Sequence, residues 1–162
     1  DTLRAGQTLR LVAGAPSSGT APSSTATGAG VSDMVWPATG IITSRFGWRS
    51  LRIGGTNMHY GLDLDGHTGD PIYSATAGVV TFSGWRGGYG NLVIVEADGV
   101  EYYYAHASEL LVNAGAIVAV GEVIARIGTT GNVTGSHLHF EVRVDGTPVD
   151  PLPILEARAG SR

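Results

Sequence analysis

Four of the five histidines in this 162-residue chain fall in three short stretches. His59 opens H-Y-G-L-D, which ends at Asp63; His106 closes Y-A-H; His137 and His139 share H-L-H-F-E. Imidazole is the commonest metal-binding side chain, and it titrates near neutral pH. Histidine pairs, and a histidine with a carboxylate at short even spacing, are what a zinc site is built from. A hydrolytic zinc takes three protein ligands, keeps one position for water and lowers that water's pKa to about 7. Two histidines and one carboxylate as ligands would leave two histidines to move protons and steady an oxyanion. The pattern points to metal-assisted hydrolysis.

Such residues must be held by strands. Residues i and i+2 of a strand share a face, so His137 and His139 project together while Leu138 and Phe140 point into a core. His59 and Asp63 are four apart; Gly61 and Gly66 argue against a helix, and an even spacing puts both on one face of a strand. Asp65 has the same parity, so parity leaves the two aspartates open. By parity Tyr102 and Tyr104 share a face with His106, and core packing is the expected role of Tyr104. Glu141 shares the face of His137 and His139, where it either orients a ligand or ends exposed. Trp85 and Tyr89 flank a glycine-rich loop that would wall a cleft. His67 reads as a surface loop residue.

Residues 78–82, 91–95, 100–104, 123–127 and 138–144 are rich in β-branched and aromatic residues and are mostly separated by Gly, Asn or Asp. Asp145-Gly146 marks a hairpin turn. Only Ser108–Val112 is expected to make a helical turn. The expected fold is all-β, compact and mostly antiparallel, with little helix. Residues 13–33 are dominated by Ala, Gly, Ser, Thr and Pro, as in a flexible linker. Residues 34–155 form the expected catalytic domain and 156–162 a C-terminal tail.

The net charge of -4 comes with no basic run, which argues against nucleic acid. Without cysteine there is no thiolate chemistry and no Cys-type zinc ligation. No segment approaches the ~18 apolar residues of a membrane span. The chain begins at Asp1 without Met, as expected of a mature or trimmed product.

Residues 36–152 resemble the lysostaphin-like (LytM-type) zinc metallopeptidases, which cut peptide bonds in bacterial peptidoglycan. The resemblance rests on H-x-x-x-D, Y-A-H and T-G-S-H-L-H-F-E in that order, supported by S-R-F-G-W-R, Y-G-N-L-V-I-V and P-V-D-P. It implies a barrel-sandwich-hybrid-like fold, one zinc ion held by His59, Asp63 and His139, and His106 and His137 as the non-ligand catalytic pair. It also implies a peptidoglycan substrate and a place outside the cytoplasm. The bond is left open between glycyl-glycine bridges and D-alanyl–meso-diaminopimelate cross-links, as is any regulatory protein partner. Residues 1–12 resemble the end of a LysM glycan-binding repeat. The rival readings are a same-fold regulator without catalysis and a biotinyl- or lipoyl-type carrier, which residues 114–128 resemble. The carrier needs a modifiable lysine, and the chain has none.

Overall fold

The computed structural model describes residues 34–160. The expectations for residues 1–12 and 13–33 lie outside them. In chain order the elements are β1 (Ile42–Ser44), β2 (Gly47–Ile53), β3 (Thr56–His59), β4 (Leu62–Asp65), β5 (Pro71–Tyr73), β6 (Gly78–Trp85) and β7 (Asn91–Ala97). There follow β8 (Val100–Leu110), β9 (Ile117–Val118), β10 (Val123–Ile127), β11 (His137–Val144), β12 (Thr147–Val149) and α1 (Pro151–Ala159). The five strands expected from composition are all present.

Ten strands form one antiparallel sheet with the path β1-β4-β11-β8-β7-β6-β9. Strand β10 joins β5 to β8, and β12 pairs with β11 through the Asp145-Gly146 turn. Strands β2 and β3 make a separate hairpin. The main core lies on one face of the sheet. Leu62 and Leu64 of β4, Leu138 and Phe140 of β11 and Tyr104 of β8 are fully buried there, with Ile72, Ile124 and Ile127. A smaller cluster of Leu92, Ile94, Tyr103 and Ala105 lies on the other face. Alternation along β11 thus buries Leu138 and Phe140 and turns His137, His139 and Glu141 the other way.

Three local expectations are corrected. Residues 108–110 continue β8 rather than turning into a helix, because Leu110 and Glu109 pair with Ala125 and Arg126 of β10. A helix forms at 151–159 instead and runs through the 155/156 boundary. Asp150 caps it by accepting from the Leu152 N–H at 3.0 Å, and Pro151 fits its first turn. Burying Leu152 and Leu155 contributes roughly 2 kcal/mol each.

The third correction concerns H-Y-G-L-D, which is not one strand. Strand β3 ends at His59, the chain turns through Tyr60 and Gly61, and β4 begins at Leu62. A Cβ at Gly61 would lie 2.4 Å from the Phe140 carbonyl oxygen and 2.9 Å from His139 Cε1. Only glycine lets the backbone pass so close to β11.

Candidate metal centre

Asp63 and His139 face each other on β4 and β11, in direct register. His59 reaches them from the end of the β2–β3 hairpin. His59 Nε2 lies 3.0 Å from Asp63 Oδ1 and 3.1 Å from His139 Nδ1, and His139 Nδ1 lies 2.8 Å from Asp63 Oδ1. All three residues are buried. Ligands about 2.05 Å from a tetrahedral zinc stand about 3.3 Å apart, so this triangle needs only slight expansion to hold one. Asp65 is exposed and sits outside the triangle. The register therefore separates the two aspartates that parity left equivalent.

The tautomers follow from the partners. His59 Nδ1 is 2.7 Å from the Arg45 carbonyl, which can only accept, so Nδ1 carries the proton. His139 Nε2 is 2.9 Å from Glu141 Oε1 and carries its proton there. The remaining ring nitrogens, His59 Nε2 and His139 Nδ1, then present lone pairs toward the same Asp63 oxygen. With both rings neutral, three acceptors converge with no proton between them, an arrangement that suits a cation. Burial works against charging His139, but its hydrogen bonds to Asp63 and Glu141 outweigh that and push its pKa up to about 9. Burial alone would raise the Asp63 carboxyl, yet hydrogen bonds from His139 and His59 hold it well below the usual carboxylate range.

Glu141 is 1% exposed and lies 2.9 Å from His139 Nε2, so the expectation of an exposed carboxylate is corrected. Its second oxygen accepts from Arg143 Nε at 2.8 Å and lies 2.7 Å from Arg143 NH2. Tyr89 donates to Glu141 Oε1 at 2.9 Å and accepts from Arg143 at 2.8 Å. A chain of hydrogen bonds thus runs from His139 to the glycine-rich loop after β6. Burial would raise the Glu141 carboxyl, but the His139 hydrogen bond and the charges of His139 and Arg143 bring it down.

His106 and His137 flank the triangle. Their ring centroids are 4.9 Å apart, and His106 lies 5.7 Å from His139. His137 Nε2 is 3.6 Å from Asp63 Oδ1. Each has its Nδ1 on a backbone carbonyl, Thr130 at 2.8 Å and Gly135 at 2.9 Å, so in the neutral ring Nε2 is the acceptor. Burial depresses the His106 pKa to about 4, with the neighbouring His139 and His137 charges acting the same way.

His106 reaches the site by breaking parity. Its φ is 64°, left-handed for a non-glycine residue. Asn91 pairs with Ala107 and Val93 with Tyr104, so a step of two residues on β7 faces a step of three on β8. This bulge turns His106 out of the core while Tyr104 stays in it. Tyr104 is buried in the main core and accepts from the Ala75 N–H at 2.8 Å. The expected shared face of Tyr104 and His106 is therefore wrong.

The five residues sit in a cleft of about 730 Å³. The β2–β3 hairpin forms one wall; Gly88, Tyr89 and residues 132–136 form others. Trp85 is 61% exposed and lies outside the lining, so the glycine-rich loop contributes Tyr89 but not its tryptophan. His67 is exposed, as expected. One cleft residue that sequence reasoning passed over is Arg49, whose NH1 lies 3.8 Å from Asp63 Oδ2. The signal for it was its place in S-R-F-G-W-R.

Residues 57–151 match the sequence profile of Peptidase family M23. The chain belongs to that family. It is similar to the DD-carboxypeptidase/endopeptidase Mpg of Neisseria meningitidis serogroup B, 44% identical over 115 residues, which covers 70% of this chain and 26% of that protein. It is also similar to the lipoprotein NlpD/LppB homolog of Pseudomonas aeruginosa, 40% identical over 148 residues, 88% of this chain and 46% of that one. The murein hydrolase activator NlpD of Salmonella typhimurium is 37% identical over 138 residues, 84% of this chain and 35% of that protein. The chain thus spans less than half the length of these curated relatives. Among solved structures, the catalytic domain of lysostaphin from Staphylococcus simulans superposes with a TM-score of 0.67 at 33% identity, covering 72% of this chain and 92% of that one. The M23 domain is mostly antiparallel β, as that likeness requires. No helix among the described residues is long and apolar enough to cross a membrane.

Proposed function

We propose that this M23 domain is a zinc-dependent endopeptidase that hydrolyses peptide bonds in the cross-links or stem peptides of bacterial peptidoglycan. In this reading His59 Nε2, Asp63 Oδ1 and His139 Nδ1 hold the zinc, and Glu141 orients His139. A zinc ion so held would supply Lewis acidity toward the scissile carbonyl and toward water. His106 and His137 do the proton work. Each offers a free Nε2, and the low pKa of His106 keeps it neutral and able to accept a proton at pH 7. The same rings, once protonated, can donate to the leaving amine or to the oxyanion. The observation that carries the reading is the convergence of His59 Nε2, Asp63 Oδ1 and His139 Nδ1 within 3.1 Å of one another, beside the rings of His106 and His137. The polymer lies outside the cytoplasm, so the domain works there.

A second reading is a same-fold regulator that activates another wall hydrolase. Its support is the similarity to a murein hydrolase activator across 84% of the chain, more than the family domain alone. The complete set of five residues favours catalysis. The deciding experiment digests purified peptidoglycan of both cross-link types, with and without chelator, and reads products by mass spectrometry. Products that vanish with chelator and return with zinc are expected. No products from either polymer despite bound zinc would overturn the catalytic reading in favour of the regulator.

A further inference from the structure

Arg49 brings a positive charge into the cleft, 3.8 Å from Asp63 Oδ2. It sits on the inward face of β2, between exposed Trp48 and Ser50. Its carbonyl accepts from Asn57 Nδ2 at 3.2 Å across the hairpin, which fixes the backbone below the guanidinium. Among the described residues it is the only Lys or Arg lining the cleft, and its side chain is 22% exposed.

The guanidinium is poorly satisfied. NH1 donates to Ser44 Oγ at a long 3.3 Å. Its 3.8 Å separation from Asp63 Oδ2 is too great for a hydrogen bond. Nε is buried and has no hydrogen-bond partner among the described residues. Buried polar atoms normally find partners, so the guanidinium is only loosely held by the protein, and its exposed part faces the cleft. A guanidinium presents its donors as a planar fork matched to a carboxylate, and the resulting pair is held by charge and geometry together.

We propose that Arg49 determines substrate specificity by clamping a free carboxylate of the substrate beside the scissile bond. This rests on the peptidase reading and narrows it. The contact lies within about two residues of the triangle, at roughly 3.5 Å of extended chain per residue. A D-alanyl–meso-diaminopimelate cross-link carries a carboxylate next to its scissile amide. A glycine bridge carries no charge there and leaves the guanidinium with only its long contacts to Ser44 and Asp63. The cleft therefore takes acidic cross-links in preference to glycine bridges.

The test uses zinc-loaded protein and two cross-linked muropeptide dimers, identical except that the diaminopimelate carboxylate beside the scissile bond is free in one and amidated in the other. Cleavage kinetics and calorimetric binding are both measured. The free-carboxylate dimer is expected to be preferred by about 10- to 100-fold, the size of a hydrogen bond to a charged group, with the difference in KM and Kd rather than kcat. Arg49→Met is expected to erase the preference while its zinc content stays at that of the wild type. Equal treatment of the two dimers by wild type overturns the inference while cleavage of either upholds the peptidase. Absence of binding to both also overturns it. A variant that loses zinc, or that loses kcat equally on both dimers, overturns it too, because Arg49 would then be serving Asp63 or the reaction rather than the substrate. If neither dimer is cleaved, the Kd comparison alone decides.

Discussion

The His139 ring is held between two carboxylates, with Nδ1 2.8 Å from Asp63 Oδ1 and Nε2 2.9 Å from Glu141 Oε1. In the proposed site the first carboxylate would share the cation, and the second holds the proton on Nε2. Glu141→Ala removes the group that keeps the proton on Nε2 and leaves Arg143 without its carboxylate partner. Zinc affinity should fall about 10- to 100-fold, as when such orienting groups are lost elsewhere. Competition with a chromophoric chelator measures this. Glu141→Gln keeps an acceptor in place and should lose less; equal zinc affinity in all three proteins would remove Glu141 from the site.

The ligand and proton-transfer roles should separate by mutation. His59→Ala removes one vertex of the triangle and is expected to abolish zinc binding. His106→Ala leaves the triangle whole; it should retain zinc and lose turnover by at least about 100-fold, the scale of general acid–base catalysis. Metal analysis alongside a peptidoglycan assay reads both. A His106→Ala protein with near-normal activity would take the base from His106.

The two shifted histidines give the metal-free protein a bell-shaped stability profile. His139 has its folded pKa raised from 6.5 to about 9. Its contribution is complete below pH 6.5 and is lost as pH rises through 9. His106 has its folded pKa lowered from 6.5 to about 4. Its unfolded form takes up protons first, so stability is lost as pH falls from 6.5 toward 4. Chelated protein should therefore melt highest near pH 6.5 and lower at pH 4.5 and pH 9. Zinc must displace the His139 proton, so apparent zinc affinity should rise by up to about tenfold per pH unit until pH 9. Melting temperatures with chelator and with zinc across this range test both statements.

The sequence made some of this legible and concealed the rest for identifiable reasons. The alternation in H-L-H-F-E carries directly into β11, because a regular strand obeys parity, and Leu138 and Phe140 are buried as expected. Parity fails where the strand is irregular. His59 and Asp63 belong to different strands, joined by a glycine whose need is a contact with Phe140, distant in sequence. Glu141 has two partners within its own strand, His139 and Arg143, but the burial that decides its place comes with Tyr89, 52 residues away, and Arg49 comes within 3.8 Å of Asp63 only once the hairpin has folded. The helix at 151–159 had a local signal in Asp150-Pro151, but its apolar residues follow a stretch that reads as a strand and hairpin.

The bulge at His106 makes the last prediction. A left-handed non-glycine residue stores about 1–3 kcal/mol of strain. Here the φ of 64° is what lifts the imidazole out of the core, where Tyr104 already fills the space. Alanine at this position keeps the strain and loses the hydrogen bond to the Thr130 carbonyl. Glycine loses the same bond but adopts a positive φ without strain. In a regular strand glycine is the less stable of the two. At position 106 the order should invert, with His106→Gly unfolding at higher denaturant than His106→Ala by about 1 kcal/mol. Both should be inactive on peptidoglycan, so the stability difference reads the backbone alone. If Ala proves the more stable, β8 relaxes to a regular strand without His106, and the strain argument fails.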